Sequence, residues 1–261
     1  MKLNVWQAMK PAELCLGDFL RRTSPEITHL VELPQQTLLV LLSYVLEQPQ
    51  TWILAHPEAR LSAPQRAELT ALVARLKQGE PLPYLTGRQE FFGLCFEVSP
   101  AVLIPRPETE LLVETALRWL RSHPAAGSAL DVGTGSGCIA ISLAVNTPAL
   151  YLVATDISTD ALAIAQRNAQ IHHVEDRITF QEADLISADL RRFDLICANL
   201  PYVPTSELAK VNSLPYEPAS ALDGGPDGLA LIKRCLANAP AHIRAPGMLL
   251  SKSRLQLGTL P

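Results

Sequence analysis

From residue 128 onward, short apolar runs alternate with segments of helical period, and this alternation limits the fold more than any other feature of the chain. The runs are "ALDV", "LYLVAT", "RITFQEA" and "FDLICA", and helical segments at about 137–146 and 159–171 separate the first three. Strands separated by a helix's length of chain do not pair as hairpins. They pair in parallel, with the crossover helices covering the sheet, so the pattern predicts an α/β fold. A further helix at about 226–243 and the run "GMLLS" extend the same rhythm.

The first of these strands ends in "LDVGTGSGCIA", with Asp131 at its tip and Gly133, Gly135 and Gly137 in the turn, separated by Thr134 and Ser136. Glycines here permit a tight turn, let backbone approach a ligand, and leave N–H groups open at a helix N-terminus. A dinucleotide fingerprint reads G-x-G-x-x-G, which would place its third glycine at position 138, and that residue is Cys138. The G-x-G-x-G spacing therefore disfavours a nicotinamide oxidoreductase. The second strand ends "VATDIS", placing Asp156 where an acid accepts hydrogen bonds from the ribose hydroxyls of an adenosine ligand. After the third comes "EADLI", whose Asp184 and Leu185 are suited to flank an adenine, one polar and one apolar. Any one of these residues is what an ordinary turn contains. Occurring in order at successive strand ends, they predict a nucleotide-like site.

The fourth strand ends in Asn199-Leu200-Pro201-Tyr202. Ligands of open parallel sheets bind outside the carboxyl ends of the strands, so this tetrapeptide is expected to face the same ligand. Its residue types suit one chemistry. An amide or aromatic-amine nitrogen is a poor nucleophile because its lone pair is delocalised. Two acceptors gripping its N–H bonds orient that lone pair and stabilise the positive charge that develops on attack. The side-chain oxygen of Asn199 and the carbonyl of Leu200 supply two acceptors. Pro201 fixes the turn and Tyr202 offers a planar face to the substrate group or to a cation.

At this point the chain resembles the class I S-adenosylmethionine-dependent methyltransferases, on "LDVGTGSG", "ATDIS" and "ADL" in order and spacing. The linker "GEPLPYLTGRQEFFGLCFEVSPAVLIPRPETELLVE" and the later "YEPASALDGGPDGLALIKR" narrow this to the HemK/PrmC peptide-chain release-factor glutamine methyltransferases, over about 70–250. The resemblance implies a Rossmann-like methyltransferase sheet and S-adenosylmethionine as cofactor. It implies that Gly133, Thr134, Gly135, Ser136, Gly137, Asp156, Asp184, Leu185 and Asn199 bind the cofactor. Asn199, Leu200, Pro201 and Tyr202 would hold the substrate glutamine of a release factor's GGQ motif, methylated at N5. Arg106, Glu108 and Glu110 would order a lid, or simply cap a helix as solvated charges. Leu200 stands where the usual Asn-Pro-Pro-Tyr motif has a proline, which removes a φ constraint but keeps the carbonyl.

Residues 1–78 read as a helical domain, which the resemblance implies docks the substrate. In "APQRAELTALVARLKQGEP", Leu69, Leu72, Val73 and Leu76 share one helix face, and Gly79 and Pro81 read as its stop. "LPQQTLLVLLSYVLEQPQ" is apolar around most of its circumference and reads as a buried helix. Residues 79–105 read as short strands or a β-hairpin linker. Pro107 then opens a helix, and 106–261 form the methyltransferase domain. After "GMLL" the resemblance implies an acidic continuation, a helix and two more strands. Here "SKSRLQLGTLP" follows, so the sheet is expected to lack its last two strands and to leave strand five at an edge.

The totals exclude other classes. The net charge of −4 offers no global basic field, so direct nucleic-acid binding is not expected. The five cysteines are dispersed without a CxxC pair, which argues against a zinc site and for a reducing compartment. The N-terminus lacks a signal peptide's apolar core and "TLLVLLSYVL" is too short to span a bilayer, so a soluble cytoplasmic protein with no membrane partner is expected. The histidines, His172 and His173 included, read as surface residues. The remaining alternatives are an adenine-N6 methyltransferase, a ribosomal-protein glutamine methyltransferase, and an inactive S-adenosylmethionine-binding relative.

Overall fold

The computed structural model describes residues 14–210 and 215–252. The chain divides into two units, Met1–Thr86 and Gly87–Pro261. The expectations for the extreme N-terminus and for the tail at 253–261 lie outside the described residues.

The first unit is helical: α1 (Leu16–Ile27), α2 (Pro34–Leu46), α3 (Gln50–Ala55), α4 (Ala63–Lys77) and α5 (Leu82–Thr86). A capping box opens α4, with Ser62 and Gln65 satisfying each other's backbone N–H groups. Its face of Leu69, Leu72, Val73 and Leu76 is buried as the periodicity predicts. In α2, Leu38, Leu41 and Leu42 are fully buried, and they join Phe19, Ile27 and Ile53 in one apolar core. Residues 82–86, expected to belong to a strand-like linker, are instead a helical turn. The Pro81 carbonyl accepts from the N–H groups of Tyr84 and Leu85, so the proline that stops one helix starts the next.

The second unit opens with an antiparallel hairpin of β1 (Arg88–Phe91) and β2 (Leu94–Glu97). Its two-residue turn, Phe92-Gly93, has positive φ at both positions, the geometry that matches strand twist. Phe91 and Phe96 point into the core. A 3₁₀ turn at Pro107–Thr109 then leads into α6 (Glu110–Ser122), and Glu110 accepts a hydrogen bond from the Phe92 N–H across the hairpin turn.

The predicted strand and helix alternation follows: β3 (Ser128–Val132), α7 (Cys138–Asn146), β4 (Tyr151–Asp156), α8 (Thr159–Ile171), β5 (Ile178–Glu182), β6 (Phe193–Ala198), α9 (Ala230–His242) and β7 (Ile243–Ser251). The five strands pair in parallel in the order β5-β4-β3-β6-β7. This is a Rossmann-like α/β sheet. All five residues of β3 are buried, as a central strand covered on both faces requires. Ala129 packs on one side with α6, α7 and the hairpin phenylalanines, while Leu130 and Val132 pack on the other with Ile232, Cys235 and Ala239 of α9.

Two polar side chains tie these parts together. Asp194 accepts from the backbone N–H groups of Gly127 and Ser128 and from Arg244 of β7. Burial works against its charge, but the bonds from Ser128 and Arg244 outweigh it and hold the carboxyl below its ordinary pKa. Asn168 of α8 is fully buried, donating to the carbonyls of Glu97 and Ser136 and accepting from the Glu97 N–H. Among the described residues β7 pairs only with β6. His242 departs from the surface reading of the histidines. It is 8% exposed, with Nδ1 3.0 Å from the Leu190 carbonyl, because the last turn of α9 packs onto that loop. No helix among the described residues is long and apolar enough to cross a membrane.

Candidate functional site

The sheet changes direction between β3 and β6: the chain runs outward from β3 through β4 to β5, then returns to place β6 on the other side. Such a switch point leaves a crevice at the carboxyl ends of the two central strands. The glycine turn follows β3 and the Asn199 tetrapeptide follows β6, so both meet there.

The turn is held from beneath. The N–H groups of Gly133 and Thr134 both donate to the Thr155 carbonyl of β4, each at 2.9 Å. Asp131, with no exposed surface, accepts from the Thr134 hydroxyl at 2.6 Å and the Ala140 N–H at 3.2 Å. Its other oxygen, Oδ1, has no hydrogen-bond partner among the described residues. Burial pushes its pKa up to about 6 despite those two bonds, and the nearby Asp156 charge pushes the same way.

Gly133, Gly135 and Gly137 all have positive φ, at 71°, 55° and 81°. Their surroundings differ. A Cβ on Gly135 would meet nothing within 4 Å, so this glycine faces open space. A Cβ on Gly137 would meet Ile141 at 2.8 Å and Ala165 at 3.1 Å, so that glycine serves the close packing of α7 on α8. The Gly135 N–H donates to Asp156 Oδ2 at 2.8 Å and the Ser158 N–H to Oδ1 at 2.9 Å. Each carboxylate oxygen keeps a lone pair for a ligand hydroxyl.

A cavity of about 320 Å³ occupies the crevice. Its wall includes Gly133, Thr134, Gly135, Ser136, Asp156, Asp184, Leu185, Asn199, Leu200 and Pro201. Two of the residues assigned to cofactor or substrate from the sequence are absent from that wall. Gly137 is turned into the helix packing just described. The half-buried Tyr202 packs its ring against the apolar cluster beneath α9, with the Lys252 ammonium 5.8 Å from its centre. Leu200 is 2% exposed, and its Cδ2 would lie 3.1 Å from a Cβ on Gly133. Its side chain anchors the tetrapeptide by burial where a proline would do so by fixing φ. Leu185 is buried with a φ of 66°, and its carbonyl accepts from the Thr155 hydroxyl. Asp184 is exposed and ion-paired with Arg234 at 2.7 Å.

Several wall residues lie inside the quoted motifs but were assigned no role from the sequence, among them Ile157, Ser220 and Leu231. Others lay within motifs but had unseen partners. Glu217, fully buried, accepts from the Ile104 N–H at 3.1 Å and from Arg106 at 2.6 Å, which joins "IPRPETE" to "YEPAS". Arg106 thus orders the wall segment holding Pro218, Ser220 and Ala221, while Glu108 is exposed and Glu110 serves the hairpin. Burial pushes the Cys138 thiol up to about 12 and raises Cys197 as well, which removes both as nucleophiles.

The donor set fits an adenosine-bearing sulfonium ligand: an open glycine turn, an acid positioned for ribose, and an apolar floor. Comparison with known proteins bears on the family. The methyltransferase small domain matches residues 107–214, and the PrmC N-terminal domain matches residues 18–87. The release factor glutamine methyltransferase of Koribacter versatilis is 42% identical over 221 residues, covering 83% of this chain and 78% of that protein. The one from Geobacter sulfurreducens is 42% identical, covering 80% and 73%, and that from Moorella thermoacetica 41% identical, covering 90% and 82%. Among solved structures, the ribosomal protein L11 methylase from Lactobacillus delbrueckii subsp. bulgaricus is 22% identical with a TM-score of 0.41, covering 56% of this chain and 60% of that one. With both units matched in order and relatives about 42% identical over more than two thirds of their own length, the chain belongs to the release factor glutamine methyltransferases.

Proposed function

We propose that this chain transfers a methyl group from S-adenosylmethionine to the side-chain amide nitrogen, N5, of the glutamine in the GGQ motif of peptide-chain release factors. The observation that carries this reading is the convergence of two strand ends on one cavity: Gly135 with Asp156 on one side, Asn199 with Leu200 and Pro201 on the other. Gly133 to Ser136, Asp156, Asp184 and Leu185 would hold the cofactor, which supplies an electrophilic methyl on a sulfonium.

The chain's own residues then act on the amide. Asn199 Oδ1 and the Leu200 carbonyl accept its two N–H bonds, which turns the nitrogen lone pair toward the donor and favours the charge that forms on nitrogen. Alignment and exclusion of water supply most of the effect, and no general base is needed in the transition state. Tyr202, set back from the wall, supports the turn from behind. The helical unit, which matches the PrmC N-terminal domain, is the docking module for the release factor in this reading. The net charge of −4 accords with a protein substrate.

The test uses purified protein, radiolabelled S-adenosylmethionine and a release factor, alongside the same factor with its GGQ glutamine changed to alanine. Label on the first and none on the second is expected. Label that persists on the alanine factor refutes the assignment.

A further inference from the structure

We propose that Thr109 is a positioning residue for this methyl transfer: its hydroxyl oxygen anchors the Nδ2 end of Asn199 and leaves Oδ1 for the substrate amide. The inference rests on the glutamine reading above and adds to it a residue outside the tetrapeptide.

Thr109 occupies the N-cap of α6, a place where a threonine hydroxyl ordinarily accepts from the helix's own first N–H groups. Here it makes no such bond, and its backbone is already helical, with φ −75° and ψ −19°. The side chain is turned inward instead. Thr109 is 1% exposed and on the cavity wall, and its Oγ1 lies 3.5 Å from Asn199 Nδ2 and 3.2 Å from Lys252 Nζ. Both neighbours are donors. A hydroxyl oxygen has two lone pairs, so these two donors occupy the acceptor capacity it has.

The consequence concerns which way an amide points. An asparagine side chain has nearly the same shape when its oxygen and nitrogen are exchanged, but the chemistry of the two orientations is opposite. With Nδ2 directed at Thr109, Oδ1 remains as an acceptor for the substrate. In the reversed orientation, an NH₂ group would confront the N–H bonds of the glutamine amide, donor against donor. The Thr109 hydroxyl can also donate, so it is the substrate's two N–H donors that exclude the reversed orientation, and the contact at Thr109 holds the orientation they require. The methyl transfer itself is unchanged: the N–C bond forms as the S–C bond breaks, and one N–H proton leaves to water.

The test has two arms. In the ligand-free protein, the side-chain NH₂ resonances of Asn199 are assigned by their loss in Asn199→Ala and then followed in Thr109→Val and Thr109→Ser. Val matches the shape of Thr without its oxygen, and Ser keeps the oxygen without the methyl. The expected result is that the NH₂ pair moves toward the shifts of a solvated amide in Thr109→Val and stays near wild type in Thr109→Ser. In turnover with the release factor, kcat of Thr109→Val is expected to fall on the order of tenfold or more, while the affinity for S-adenosylmethionine holds and Thr109→Ser recovers most of the rate. An unmoved Asn199 pair in Thr109→Val overturns the proposal, and so does an unchanged kcat. A wild-type chain that does not label the release factor, with an Asn199 pair that still responds to Thr109→Val, refutes the glutamine reading and upholds the anchoring.

Discussion

Asp131 sits under the cofactor turn with its carboxyl buried, and its folded pKa of about 6 exceeds the ordinary carboxylate value of 3.8. The folded chain therefore holds a proton that the unfolded chain has released. The group's stabilising effect is complete below pH 3.8 and is lost as pH rises through about 6, a change of about 3 kcal/mol. Asp131→Asn keeps an acceptor for Thr134 and Ala140 but cannot ionise. Denaturant melts between pH 4 and 7 are expected to show this decline in the wild type and its absence in the variant, and equal slopes would contradict the assignment. Gly135 and Gly137 make a second contrast at this scale. Gly137→Ala drives a methyl into Ala165 and is expected to lower stability by about 2–4 kcal/mol. Gly135→Ala meets open space, so it costs about 1–2 kcal/mol of backbone strain and mainly weakens cofactor binding. Thermal melts and calorimetry with S-adenosylhomocysteine separate the two. From sequence the three glycines are indistinguishable, because what differs between them is the side chain that the fold brings against each. The same limit explains Tyr202: its place beside Asn199 in the chain says nothing of which way the turn carries its ring.

At the scale of elements, strand ends were legible because each motif sits at the carboxyl end of an apolar run, and parallel order brings those ends together. The links between loops were not. Glu217 and Arg106 stand 111 residues apart, and each lies in a motif that reads as an independent turn. Their ion pair, with Glu217 fully buried, fastens the wall segment containing Pro218, Ser220 and Ala221 to the entry of α6. Glu217→Ala leaves the Ile104 N–H and the Arg106 guanidinium without that acceptor. It is expected to destabilise the second unit by about 2–3 kcal/mol, discounted because Arg106 is 36% exposed and regains water. The cofactor Kd should rise with it. A variant with full stability and affinity would show that the wall does not depend on this pair. The helical turn α5 was hidden for a different reason: five residues, Leu82 to Thr86, are too few to show a period, and the Pro81 carbonyl's two bonds reveal the helix.

For the molecule as a whole, each unit has an apolar core of its own. One core lies within residues 14–85, and the others begin at Phe91. A fragment spanning Gly87–Pro261 is accordingly expected to fold and to bind S-adenosylhomocysteine, while its KM for a release factor rises steeply if the helical unit is the docking module. Calorimetry of the fragment together with methylation kinetics tests both halves of that statement. Fold class and unit order were legible here because the helical period of the first unit gives way to Gly- and Pro-punctuated runs from about residue 79 and to the strand and helix rhythm from residue 128.

Asn168 gives the second unit a property that its cavity alone would not have. By bonding to the backbone of Glu97 on one side and Ser136 on the other, a single amide acts as a tendon between the hairpin and the glycine turn. The segment that introduces this unit and the turn that gives it chemistry thus share one anchoring side chain, so loss of the Asn168 amide is expected to loosen both.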